Sequence, residues 1–150
     1  MRPETITAIG SFTALTNADD DYLAIDPSRC TGFADAPLRT TFEPIPGADG
    51  VLILPAYDDA QILTLAGDLI VTSTGSSSES GYQAAVDTLL ASLKTALDAM
   101  KSSAGTLTHS GGSLSVWKQA PIDASWALAG SSAGVPYVMQ VTFGLVVDVT

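Results

Sequence analysis

The chain has 150 residues, of which 46% are hydrophobic and 15% are charged, which is typical of one folded domain and excludes a disordered segment. Sixteen acidic residues against six basic ones give a net charge of −10, so the surface has too few cations to neutralise a nucleic-acid backbone. No apolar run approaches the roughly 20 residues of a membrane span, and "MRPETITAIGSF" lacks the apolar core of a secretory signal.

The first third of the chain is predicted to form short strands separated by turns. Residues 4–16, rich in Thr and Ile, predict a strand, and "YLAI" at 22–25 predicts a second, shorter one. Residues 26–37 contain two prolines and the single cysteine, which favours an irregular loop. "LRTTFEPI" at 38–45 predicts a further strand, and "PGADG" at 46–50 predicts the turn that ends it.

The stretch "VLILPAYDDAQILTLAGDLIVTS" has two apolar runs on either side of an Asp-Asp pair. This arrangement predicts a long hairpin in which residues 51–57 pair with residues 60–73. Pro55 indicates an edge strand or a bulge in the first arm, and Gly67 indicates a bulge in the second. Residues 73–80 are rich in Ser and Gly and predict a loop.

One long amphipathic helix is predicted at about residues 80–103. Ser80 and Gln83 have the spacing of a capping box, Gly105 fits the position just after a helix, and Lys101 lies near the negative end of the helix dipole. Seven apolar residues lie within roughly 100° of arc at 3.6 residues per turn and predict a buried stripe: Tyr82, Val86, Leu89, Leu90, Leu93, Leu97 and Met100.

The opposite face of this helix has few charges. Four charged residues occupy a narrow strip: Asp87, Lys94, Asp98 and Lys101. The remaining outer positions are small and uncharged: Ala84, Thr88, Ala91, Ser92, Thr95 and Ala99. A solvated helix face usually carries charge, so this face is a candidate contact with a second protein surface. Alanine is also the best helix former, which explains the same composition without a partner.

The C-terminal third is again predicted to be strand-rich. "GTLTHSGGSLSVWKQAP" predicts two strands around Gly111 and Gly112, and residues 122–130 predict another. Residues 136–150 predict a long final strand in which Met139, Val141 and Phe143 share one face.

These elements predict a mostly β fold, a β-sandwich or rolled sheet, with the one amphipathic α-helix packed on it. We expect residues 1–150 to form a single domain.

The sequence contains no convincing catalytic or metal-binding pattern, so we expect no enzyme activity and no cofactor. His109 adjoins a Ser-Gly-Gly turn, which favours a turn residue. "GSSAG" at 130–134 matches G-x-S-x-G but precedes a strand and follows the only histidine, contrary to the hydrolase arrangement. Asp19–Asp21 lack the spacing of a calcium loop. Trp117 and Trp126 could stack on sugars, although packing is the commoner role of tryptophan.

The order of elements resembles a known family. The "GADG" turn, the stretch "QILTLAGDLIVTS", the Ser/Gly-rich loop, the single helix and the final "YVMQVTFGLVVDV" resemble the N-terminal belt domain of siphophage distal tail proteins. The resemblance covers roughly residues 38–150 and rests on no signature motif. It implies a virion location, and a hexameric ring that joins the tail tube to the tail tip or baseplate hub and lets DNA pass.

Two other functions are compatible with the same pattern. Many distal tail proteins carry a second C-terminal domain, whereas this sequence stops at Thr150, directly after the last predicted strand, and we expect a minimal ring. Tail tube proteins of the same phages have a similar architecture and are the nearest alternative. A small carbohydrate- or receptor-binding β-sandwich is the second.

A ring of this kind places inter-subunit contacts on the predicted hairpin 51–73, the loop 73–80 and the small-residue face of the helix, because exposed strand edges and uncharged faces associate readily. The candidate contact residues are Tyr57, Asp58, Asp59, Gly75, Ser77, Ala84, Thr88, Ala91 and Thr95.

Overall fold

A computed structural model describes residues 2–16, 21–34, 38–39, 42–47, 49–53, 57–58, 60–71, 79–128 and 137–148. In this part of the chain the backbone forms ten strands and one α-helix. The strands are β1 (Ile6–Ile9), β2 (Asp21–Ile25), β3 (Leu38–Arg39), β4 (Phe42–Pro44), β5 (Val51–Ile53), β6 (Tyr57–Asp58), β7 (Ile62–Val71), β8 (Gly105–His109), β9 (Gly112–Leu128) and β10 (Tyr137–Val147); the helix is α1 (Glu79–Ala99).

Six of the strands form one antiparallel sheet in the order β1-β8-β9-β10-β7-β2. The sheet is curled into a half-barrel. The N–H of Leu23, in the edge strand β2, donates a hydrogen bond of 2.9 Å to the carbonyl of Ala14, in the segment that follows β1. A cleft of about 280 Å³ lies between Ile6 of β1 and Tyr22 of β2. The prediction of a mostly β fold with a rolled sheet and one helix is therefore confirmed.

The hydrophobic core lies between the curled sheet and α1. Alternate residues of β10 are buried, namely Met139, Val141, Phe143 and Leu145, which confirms the predicted alternation of the final strand. The helix contributes Val86, Leu89, Leu93 and Leu97 to the same cluster, and Met100, directly after its end, joins them, as the 3.6-residue periodicity predicted. Leu90 is half-buried, and the side chain of Tyr82 lies outside the described residues.

The ends of the helix differ from the prediction. The helix begins at Glu79, so Ser80 lies inside it and cannot be the residue that caps its first turn. It ends at Ala99 rather than near residue 103. Gly105 is the first residue of β8, and a side chain there would overlap Met100, so close packing explains this glycine.

The first predicted strand is shorter than expected. Pro3–Thr5 form a 3-10 turn and β1 ends at Ile9. Gly10 follows with a φ of 59°, a backbone conformation that favours glycine, and turns the chain so that Ile9 and Phe12 form a β-bridge. Residues 13–16 therefore leave the sheet edge and run toward β2 and α1.

The predicted pairing of residues 51–57 with residues 60–73 is wrong. β5 pairs with β4, with Pro44 opposite Val51, and β6 pairs with β3, with Arg39 opposite Tyr57. β7 pairs instead with β2 and β10 inside the large sheet. The physical reason is the turn at 46–50, which folds the preceding strand back on the following one before the Asp-Asp pair is reached.

Two details of the long strands also correct the prediction. Gly67 lies in regular register with both neighbours, opposite Ile25 and Val141, so β7 has no bulge there. β9 runs without a break from Gly112 to Leu128, and the expected separate strands are one strand whose pairing with β10 shifts register near Gly144.

Candidate assembly surfaces

The hairpin formed by β4 and β5, residues 42–53, exposes large apolar side chains and is called the arm below. Val51 is 51% exposed, Leu52 50% and Ile45 41%. Exposed single apolar residues are ordinary, but three on one short hairpin form a patch of the kind that marks protein contacts.

The two faces of the arm differ in charge. Residues directly opposite each other in an antiparallel pair have side chains on the same face, and adjacent residues lie on opposite faces. Pro44 is opposite Val51, which gives one uncharged face. Glu43 is opposite Leu52, which places a carboxylate beside an exposed leucine on the other face. The two faces can therefore be distinguished by mutation at neighbouring positions.

A groove of about 570 Å³ lies between α1 and the segment that follows β1. One wall is Ser11–Ala14, and the other wall is the outer side of the helix. The lining residues are Ser11, Phe12, Thr13, Ala14, Thr88, Leu89, Ala91, Ser92 and Thr95, none of which is charged. The side chains of the helix wall are short and project little from the helix. The hydroxyls of Thr88, Ser92 and Thr95 donate hydrogen bonds of 2.9–3.2 Å to main-chain carbonyls one turn earlier. This geometry leaves an uncharged groove, which below is called the helix groove.

Charged residues of α1 lie beside the helix groove. Lys94 is exposed and lies one turn after Ala91 in the groove wall. Within the described residues, Lys101 and Lys118 both pair with Asp98, at 3.3 and 2.7 Å, whereas Lys94 forms no ion pair. Asp87 is also exposed and lies one turn before Ala91, so the uncharged helix groove is bordered on α1 by charges of both signs.

Ion pairs fix both the helix and the loop after β2. The hydrogen bond from Lys118 of β9, together with the one from Lys101, lowers the pKa of the Asp98 carboxyl. The main-chain N–H of Lys118 also donates to the Met100 carbonyl at 3.1 Å, so β9 holds the end of α1 through two contacts. Both contacts set the position of the helix wall relative to the sheet.

Arg29 holds the loop after β2 to β7. Its guanidinium donates to Asp26 and to Asp68 of β7, both at 2.9 Å. Hydrogen bonds from Ser28 and Arg29 lower the pKa of Asp26. Burial by itself lowers the pKa of Arg29, but the bonds to Asp68 and Asp26 outweigh it and raise this pKa.

The structure places the predicted contact residues in two groups. Ala84, Thr88, Ala91 and Thr95 are exposed on α1, and the last three line the helix groove. The backbone of Tyr57 and Asp58 forms β6, which pairs with β3. Asp59, Gly75 and Ser77 lie outside the described residues.

Sequence reasoning missed the apolar arm residues and the groove wall Ser11–Ala14. The run "VLIL" directly after the "GADG" turn is the signal that could have identified the arm, because a hairpin closed by that turn has too few strands to bury both faces. No signal in the sequence predicts that Ser11–Ala14 faces the helix, since that contact joins residues about 80 positions apart.

The residues considered for chemistry have structural partners. The imidazole of His109 accepts a hydrogen bond from the Gly111 N–H at 3.1 Å, and the Trp117 indole donates to Asp148 at 3.2 Å. Trp126 is 42% exposed. Burial raises the pKa of the Cys30 thiol. "GSSAG" at 130–134, Asp19 and Asp20 lie outside the described residues, and Asp21 begins β2.

Among the described residues, His, Cys, Asp and Glu side chains form no group of three or more that could hold a metal ion. α1, the one helix of the described chain, is not apolar enough over a sufficient length to cross a membrane.

Comparison with known proteins gives a likeness of fold. No protein-family model and no curated protein sequence matches the chain. Among solved structures, the chain is similar to the Dit protein of phage SPP1, which is described as a paradigm of the hub adsorption apparatus in phages that infect Gram-positive hosts. The TM-score is 0.54 at 14% sequence identity, over 85% of this chain and 45% of the SPP1 chain. The chain therefore spans less than half the length of that protein.

Proposed function

We propose that the chain is a structural subunit of a phage tail, and that it forms a hexameric ring at the distal end of the tail tube. The ring joins the tube to the tail-tip or baseplate proteins, and DNA passes through its lumen. The observation that carries the proposal is the fold shared with SPP1 Dit over 85% of this chain. The order of elements in the sequence resembles that of distal tail proteins and supports the same proposal.

The physical properties of the surface support a ring subunit. A subunit in a closed ring needs two different contact surfaces, because each copy contacts its neighbours head to tail. The arm and the helix groove are two such surfaces, one projecting and apolar, the other concave and uncharged. A chain with sixteen acidic and six basic residues repels DNA, which suits a conduit and opposes stable binding of DNA to the wall.

The role is structural rather than catalytic. His109 and the half-buried Trp117 are held in hydrogen bonds within the fold, which is the ordinary role of such residues in a structural protein. The helix groove is lined by hydroxyl, methyl and aromatic groups, which bind by shape and supply no acid or base.

Size-exclusion chromatography with light scattering, followed by negative-stain imaging, tests the proposal. We expect closed single-layer rings of one defined size. Long tubes would identify the chain as a tail tube subunit instead. A monomer that persists at the highest attainable concentration, with or without purified tail tubes as a template, would contradict a ring-forming role.

The salt dependence of assembly provides a second test of the same proposal. Copies with a charge of −10 repel each other, and salt screens this repulsion over a Debye length of about 10 Å at 0.1 M. If the ring contacts are uncharged, assembly strengthens as salt rises. Assembly that weakens with salt would show that attractive charge pairs dominate the interface.

A further inference from the structure

We infer that Asp49, in the turn of the arm, is a site of spontaneous covalent modification, at which the aspartate rearranges to isoaspartate through a ring formed with Gly50. Both residues are exposed and lie between β4 and β5, outside either strand. All the reacting groups belong to this chain, so the modification requires neither a partner nor the proposed ring.

The rearrangement uses only the side chain of Asp49, the main chain and water. The Gly50 nitrogen attacks the side-chain carboxyl carbon, Cγ, of Asp49. An N–Cγ bond forms, the proton of the nitrogen and the hydroxyl of the carboxyl group leave as water, and a five-membered succinimide results. Water then adds to one of the two ring carbonyls and breaks its bond to nitrogen. Breaking the N–Cγ bond restores aspartate, whereas breaking the original peptide bond leaves the main chain running through the side chain, which is isoaspartate.

Gly50 leaves its own nitrogen accessible to this attack. Its φ is 104°, a backbone conformation that side chains disfavour, so the turn requires glycine at this position. A Cβ there would meet no heavy atom within 4 Å, which shows that open space surrounds the residue. The turn geometry therefore places next to Asp49 the residue type that shields the attacking nitrogen least.

The two reacting groups are not held by other contacts. Within the described residues, the Asp49 carboxylate forms no ion pair or hydrogen bond, and the Gly50 N–H donates no hydrogen bond. Asp49 follows β4 and precedes β5, so no ladder fixes its main chain. Ring closure needs rotation about the aspartate Cα–C bond, and this position permits it.

Other exposed aspartates lack this freedom. Asp87 lies inside α1, where the N–H of the next residue, Thr88, is hydrogen-bonded within the helix. Asp123 lies in β9 opposite Thr142 of β10, and the ladder fixes its backbone. The residues that follow these two aspartates, threonine and alanine, also carry a Cβ. Helix and strand therefore protect both positions.

The described aspartates that lie outside helix and strands are also held. Asp26 is followed by Pro27, which has no N–H to react. The carboxylate of Asp148 accepts a hydrogen bond of 3.2 Å from the Trp117 indole. In the described part of the chain, Asp49 is thus the aspartate that combines an exposed carboxyl group, an unpaired backbone and a following glycine.

The modification changes the arm and spares the core. Isoaspartate adds one methylene group to the main chain of the turn. The turn fixes the register of the hairpin, in which Pro44 is opposite Val51, so the added atom alters this pairing. The arm forms a two-stranded sheet of its own, separate from the six-stranded sheet. The change therefore acts on the exposed apolar residues of the arm and leaves the packing of α1 on the large sheet intact.

Mass spectrometry of the aged chain tests the site. The purified full-length chain is kept dilute at physiological temperature and mildly acidic pH, then digested and fragmented by electron transfer, which separates isoaspartate from aspartate at equal mass. An isoaspartyl methyltransferase with labelled S-adenosylmethionine gives a second readout. We expect isoaspartate to accumulate at Asp49 in the folded chain. We expect it at Asp87 and Asp123 only when the chain is denatured in guanidinium chloride.

Two matched variants locate the methyl label. Asp49→Glu keeps the charge but would have to close a six-membered ring, so it should lose most of the label formed by the folded chain. Asp123→Glu makes the same change at an exposed strand position and should keep the label of the unmodified chain. Circular dichroism confirms that both variants fold.

Isoaspartate that forms first at another described aspartate of the folded chain, or a label that survives in Asp49→Glu, would overturn the site. A folded chain that stays unmodified while the denatured chain reacts at Asp49 would also overturn it, because the fold would then protect the turn. The separated isoaspartyl form should keep the urea midpoint of the unaged chain, and a lower midpoint would contradict a change confined to the arm. None of these readouts requires assembly, so the site and the proposed ring can fail independently.

Discussion

Gly67 lies in the middle of β7, where glycine is unusual in a strand. Replacing it with alanine tests whether close packing against β2 requires a residue without a side chain at this position. Gly67 is buried and lies opposite Ile25 of the edge strand β2. A Cβ at this position would overlap the carbonyl oxygen of Ala24, and it would lie 3.0 Å from Leu23 Cδ1 and 3.1 Å from the Ala24 carbonyl carbon. The nearest atoms are backbone atoms, so they cannot move aside without shifting β2.

The two physical effects predict opposite signs. Alanine reduces the conformational freedom of the unfolded chain and stabilises by about 0.4–1 kcal/mol where the native conformation accepts it. Overpacking at a buried site costs about 1–3 kcal/mol. We therefore expect a net loss of roughly 1–2 kcal/mol in the free energy of unfolding. For a chain of this size, each kcal/mol lowers the melting temperature by about 2–4 °C.

Urea denaturation followed by circular dichroism measures this loss. Gly111→Ala is the matched control, because Gly111 is exposed, has no positive φ, and would bring its Cβ only to 3.4 Å from the His109 ring. We expect Gly111→Ala to change the free energy of unfolding by less than about 0.5 kcal/mol. If Gly67→Ala were as stable as the unmodified chain or more so, the argument from close approach of β2 would be refuted.

Three further predictions concern the helix, its ion pair and the cysteine. Leu93→Ala, at a fully buried helix position, should lower the free energy of unfolding by about 2–5 kcal/mol in urea denaturation, and a loss below 1 kcal/mol would contradict its place in the core. The hydrogen bonds from Lys118 and Lys101 lower the pKa of Asp98 in the folded chain, so their stabilisation is complete above the ordinary aspartate pKa of about 4 and is lost as pH falls through the lower folded value. Asp98→Asn should therefore flatten the acid side of the stability profile measured by urea midpoints, and an unchanged slope would contradict this linkage. Burial raises the pKa of the Cys30 thiol, so a thiol reagent at mildly alkaline pH should react more slowly with the folded chain than with the denatured chain; equal rates would contradict this.

Part of the candidate site follows from the sequence. The small-residue face of α1 was predicted from helical periodicity alone, and Thr88, Ala91 and Thr95 do line a groove. The other wall of that groove could not be predicted, because Ser11–Ala14 reaches the helix only through the turn at Gly10 and the curl of the sheet. The sequence pattern predicted that residues 51–57 pair with residues 60–73, whereas β5 pairs with β4. The exposed Ile45, Val51 and Leu52 of the arm were therefore not predicted.

The sequence by itself determined the local elements: the helix and its buried stripe, the alternation of the last strand, and the turn at 46–50. Each is set by the periodicity or turn chemistry of residues that are near neighbours in the chain. Only the tertiary structure decided that β7 pairs with β2 and β10, that Gly67 accommodates the Ala24 carbonyl, and that the arm stands apart from the large sheet. The physical reason is that periodicity shows which face of a strand is buried, whereas the choice of its partner depends on packing between residues far apart in sequence.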